Sequence, residues 1–77
     1  MNSRPVILHV RFGSDGQVME IAERPKHMSA QQWFSFLWGK AGDKFQALSG
    51  GRGIFRLSEE FWEEIKKETS SHGQNDG

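Results

Sequence analysis

The chain has no cysteine and no tyrosine, only two prolines, and no net charge across its 77 residues. Without cysteine there is neither a disulfide to staple a small fold nor a thiolate to hold a metal. The same absence suits a reducing compartment, and the cytoplasm is the expected location. No apolar run approaches the roughly 20 residues that span a bilayer. The run after residues 1–5 is short and alternating, unlike the apolar stretch of a signal peptide, so no membrane association is expected. Catalysis needs a nucleophile with its base, paired carboxylates or a metal set, and no such group stands together here. There is no Gly-x-Ser-x-Gly and no P-loop, while His9, His27 and His72 are too dispersed to ligate a metal. The expectation is a protein that is not an enzyme, with no catalytic residue, cofactor or metal.

What is present is aromatic and electrically divided. Three Trp and six Phe are many for this length, and a small chain needs such large side chains to gain enough hydrophobic free energy. Residues 1–57 carry eight Lys and Arg against four Asp and Glu, a net +4; residues 58–77 carry two Lys against six acids, a net −4.

Val6, Leu8, Val10 and Phe12 alternate with Ile7, His9 and Arg11, the period of a half-buried strand. Gly13-Ser14-Asp15-Gly16 has the residues of a tight reversal. Residues 18–23 resume an extended pattern, with Met19 and Ile21 on one face, so a hairpin is predicted. Ser29 stands three residues before Gln32 in capping-box spacing, and Met28 and Trp33 occupy the positions of a hydrophobic staple. Ala30, Phe34, Leu37 and Ala41 make an apolar stripe with Trp33 and Trp38 at its flanks. The spacing predicts a helix over 30–41, closed by Gly42 in a left-handed cap. Residues 45–49 and 54–57, around Gly50-Gly51-Arg52-Gly53, read as a second hairpin. Ser58 caps a last helix with Glu59 and Glu60 in its first turn, Leu57 and Trp62 in staple positions, Phe61 and Ile65 turned inward and Glu63 spaced to pair with Lys67. The order is β-β-α-β-β-α, an α+β fold with an antiparallel sheet and two helices on one face. Residues 1–68 form the single compact domain and residues 69–77 a disordered polar tail.

Three surfaces are candidates for binding. On the first helix, Phe36 lies away from the stripe beside Trp33 and Lys40, a composition enriched at interface hot spots. Its alternative is burial as core. The glycine-rich turn around Arg52 has the composition of an anion cradle, and its alternative is an ordinary hairpin loop. Arg52–Leu57 resembles in composition the basic and aromatic strand of RNA-recognition domains. A second aromatic strand is missing and the element order differs, so the chain is not assigned to them.

The leading expectation is a small protein-binding regulator or inhibitor of a larger intracellular machine, of the bacterial or phage accessory type, with transcription or defence machinery as targets. Its contacts would be Trp33, Phe36 and Lys40, flanked by Arg52 and Arg56. The second reading is a nucleic-acid module with Arg11, Lys44, Arg52 and Arg56 on phosphates and an aromatic stacked on a base. The third is a self-associating module, a monomer or weak homodimer joined through a hairpin edge or the Phe36 surface.

Overall fold

Alternation builds the first strand, β1 (Val6–Phe12), as the sequence predicts: Leu8 and Val10 are buried while His9 and Arg11 are exposed. The computed structural model describes residues 4–74. After β1 come β2 (Val18–Ile21), helix α1 (Ala30–Ala41), a 3₁₀ turn (Gly42–Lys44), β3 (Phe45–Leu48), β4 (Arg52–Leu57) and helix α2 (Glu59–Gln74). The fold is α+β in the expected order. Both hairpins belong to one sheet of order β2-β1-β4-β3, with every pairing antiparallel. The first and last strands in sequence therefore meet at its centre, Val6 opposite Leu57 and Arg11 opposite Arg52.

The β1–β2 reversal is held locally. Gly13 N–H donates to Gln17 O at 2.7 Å, Gln17 N–H donates to Asp15 Oδ1 at 3.1 Å, and Gly16 has φ +86°. The strand that follows corrects the face predicted for Met19. Ile21 lies opposite Val10 and Glu20 opposite Arg11, but Phe12 is opposite Val18, so Met19 is the extra residue of a bulge. The bulge brings Val18 and Ile21 to the core side and leaves Met19 59% exposed.

Helix α1 starts with the predicted capping box: Gln32 N–H donates to Ser29 Oγ at 3.1 Å, and Ser29 N–H to Gln32 Oε1 at 2.8 Å. Its end differs from prediction. Gly42 is right-handed (φ −58°, ψ −31°) and leads into the 3₁₀ turn. Glycine leaves room for the Trp38 ring, since a Cβ there would make a tight contact with it at 3.3 Å. Ser58 Oγ accepts the Phe61 N–H at 3.1 Å to open α2, which runs to Gln74. Residues 69–74, read from sequence as disordered tail, are thus helical, and Thr69 is buried with its hydroxyl donating to Lys66 O at 3.0 Å; residues 75–77 lie outside the described residues. On this helix Glu63 pairs with Lys66 at 3.2 Å, one residue short of the predicted Lys67.

Both helices cover the same side of the sheet. Trp33, Leu37 and Ala41 of α1 and Ile65 of α2 pack in one cluster with Leu8, Val10, Ile21, Phe55 and Leu57. The result is a slab of 37 × 36 × 16 Å. Two rules of close packing show inside it. Phe34 is ringed by Phe12, Trp38, Phe45 and Phe55 at centroid distances of 5.6, 5.8, 5.8 and 5.6 Å. Gly53 is a strand residue, not part of the turn as predicted, and the Phe45 ring lies where its Cβ would be.

Candidate functional site: the open face of the sheet

With both helices on one side, the other side of the sheet carries the residues that alternate outward. The register sets them in rows. Glu20, Arg11, Arg52 and Leu48 lie side by side across β2, β1, β4 and β3; His9, Ile54 and Gln46 form the next row, and Ile7 and Arg56 the third. Three arginines, two from the second hairpin and one from the first, share this face. Arg11 is ion-paired with Glu20 at 3.2 Å, whereas the side chains of Arg52 and Arg56 have no hydrogen bond or ion pair among the described residues.

Ile54 sits at the centre of this face and is only 7% exposed, although no helix covers it. Its cover comes from the side chains around it: His9 and Gln46 opposite, and Arg52 and Arg56 two residues away along the strand. Long polar side chains commonly lay their apolar stems on such a residue and keep the charge in water. A shallow hollow of about 450 Å³ opens beside it, lined by His9, Arg11, Glu20 and Arg52 among others. Arg56 also lines a second hollow of about 620 Å³ with Arg4, Lys44, Glu60 and Phe61. Arg56 thus joins Arg4 and Lys44 around this second hollow, next to the acidic start of α2. Among the described residues no Phe or Trp stands on the sheet face, because Phe12, Phe45 and Phe55 all alternate to the core side.

The five residues expected to contact a partner are split by the structure. Arg52 and Arg56 lie on the open face. Trp33 is 1% exposed, and its indole Nε1–H donates to Ala22 O at 2.9 Å, so it is a core residue and offers a partner no surface. Phe36 is half-buried, stacked on Trp33 at 5.8 Å and 12°. Lys40 Nζ lies 5.7 Å from the Phe36 centroid and 2.7 Å from Glu68 Oε1 of α2. The surface expected on α1 is thus a clasp between the helices, and the exposed aromatic of α1 is Trp38, 51% exposed. In the Gly50-Gly51 turn both φ values are left-handed, +78° and +73°, as a tight hairpin reversal needs; Gly51 O accepts the Phe12 N–H at 2.8 Å.

Sequence reasoning grouped Arg11, Arg52 and Arg56, together with Lys44, as phosphate contacts. It missed Ile54 as their common centre, and the signal was in the alternation Arg52, Ile54, Arg56. Among the described residues no group of three His, Asp or Glu is placed to hold a metal, and no helix is long and apolar enough to cross a membrane. Comparison with protein-family models, with curated proteins and with solved structures finds no match in any of the three.

Proposed function

We propose that this chain is a non-catalytic binding module that docks the open face of its sheet onto an acidic surface of a larger protein. The observation that carries the reading is the uncovered sheet face, with Arg11, Arg52 and Arg56 set around Ile54. Protein interfaces combine an apolar centre with a polar rim and are enriched in arginine, whose planar fork bonds carboxylates in pairs. Arg52 and Arg56 hold their charges free for such pairing. A regulator or inhibitor of intracellular machinery fits a module of this kind, since it occludes or steers a partner without chemistry of its own. Phosphate would also suit the arginines, but recognition of single-stranded nucleic acid relies on stacked aromatic rings, and among the described residues this face carries no Phe or Trp and only the imidazole of His9.

The test is a titration of isotope-labelled full-length chain, followed by amide chemical shifts, with two probes of equal charge. One probe is a peptide of alternating Glu and Leu, the other an oligothymidylate. The peptide is expected to shift His9, Arg11 and Ile54. The double change Arg52→Glu with Arg56→Glu should weaken its binding at least ~10-fold, the equivalent of 1.4 kcal/mol, without altering the spectrum of the core. Tighter binding of the oligothymidylate, with a steep loss in salt, would replace this reading by the nucleic-acid one. Shifts centred on Phe36 and Lys40 would return the site to α1.

A further inference from the structure

The two ends of the sheet are built differently. β2 is interrupted by the Met19 bulge and carries Glu20, ion-paired across to Arg11; bulges and charges are the usual devices that keep an edge strand from pairing with another chain. β3 (Phe45–Leu48) has no charge, no proline and no bulge.

The direction of its backbone groups follows from two hydrogen bonds. Phe12 N–H donates to Gly51 O, and on the other side of β1, Ala22 N–H donates to His9 O. Odd residues of β4 therefore face β1, and even residues face β3, because the direction alternates along an antiparallel strand. Leu48 and Gln46, opposite Arg52 and Ile54, point back into the sheet. Ala47, between them, turns its N–H and C=O outward. Apolar side chains border this edge on both sides. Leu48, 40% exposed, is on the open face, and Trp38, 51% exposed, is on the helix side with its ring 5.6 Å from that of Phe45.

We infer that β3 is a pairing edge for β3 of a second copy of this chain. Residues opposite one another in an antiparallel pair place their side chains on the same face, so self-pairing needs a register that matches odd with odd. A two-fold axis at Ala47 provides it: the Ala47 residues exchange N–H···O=C bonds in both directions, and Leu48 of each copy lies beside Gln46 of the other. Ala47 is small, so the backbones approach without obstruction, and no charged residue of β3 meets its like. The joined sheet would also set two open faces side by side.

Sedimentation of the full chain between about 1 µM and about 1 mM tests this, a range that covers weak to moderate dimers. The expected result is a mass that doubles with concentration, accompanied by slowed hydrogen exchange at the Ala47 amide. Leu48→Lys, which puts a charge on the bare edge, should raise the dissociation constant at least ~10-fold. Met19→Lys, at the opposite edge and also exposed, should leave it unchanged. A chain that stays monomeric throughout overturns the inference. So does a dimer weakened as much by Met19→Lys, or one whose Ala47 amide exchanges as fast as in the monomer.

Discussion

Trp33 shows how one side chain can join two elements. Its ring fills the space between α1 and the sheet while its Nε1–H satisfies Ala22 O, just beyond the end of β2. A buried carbonyl stripped of its donor costs about 1–3 kcal/mol, and loss of a whole indole from a core costs about 3–5 kcal/mol. Trp33→Phe should therefore lower the unfolding free energy by about 1–3 kcal/mol and Trp33→Ala by about 3–5 kcal/mol, read from urea midpoints. Equal losses for the two would mean that the ring contributes nothing beyond the hydrogen bond, and no loss for Trp33→Phe would mean that the hydrogen bond contributes nothing. The sequence marked Trp33 as a flank of the helix stripe and a partner contact, because helical angle alone does not say which neighbour arrives to cover a flank. Gly53 misled for a related reason. A glycine shows no face, and only the ring of Phe45 above it reveals a strand position.

At the scale of elements, the local caps at helix starts and the first reversal were legible, whereas the Gly42 cap and the Glu63–Lys67 pair were not. The Ser29–Gln32 box, the Ser58 cap and the Gly13–Gly16 reversal all form as their spacing predicts. Ser29→Ala should cost about 1 kcal/mol, the usual value of an N-cap, visible as a lower urea midpoint with an unchanged slope. A change in slope would instead mean that α1 had come away from the sheet. The end of α2 was not legible, because the polar residues after Lys67 have no apolar period. Their helicity goes with tertiary contacts: Thr69 is buried, and Glu68 is tied to Lys40 of α1. The Met19 bulge was hidden as well, since a strict period of two cannot announce its own interruption.

At the scale of the whole molecule, the layer arrangement was expected from element order, but the central β1–β4 pairing was not. It joins residues about as far apart in sequence as the domain allows, and local pattern holds no record of such a partner. That pairing assembles the candidate site, because it puts Arg11 beside Arg52 and His9 beside Ile54. The helices are linked in turn by Lys40 and Glu68, whose side chains are 37% and 41% exposed. A partly exposed pair of this kind contributes about 0.2–1 kcal/mol. A double-mutant cycle with Lys40→Met and Glu68→Gln should return a coupling energy in that range, falling in high salt as charges are screened. A coupling that salt leaves untouched would show that packing around Phe36, and not charge, holds the helices together.

The two layers also differ in sign. The arginines stand on the bare side of the sheet, and the helical side includes the five glutamates of α2 against its two lysines. A neutral total therefore conceals a separation of charge between the two layers. In a uniform field such a molecule hardly migrates, but it turns. Near a negatively charged surface that torque acts before contact, so encounters arrive already oriented with the arginines leading, and fewer collisions are wasted on the wrong side.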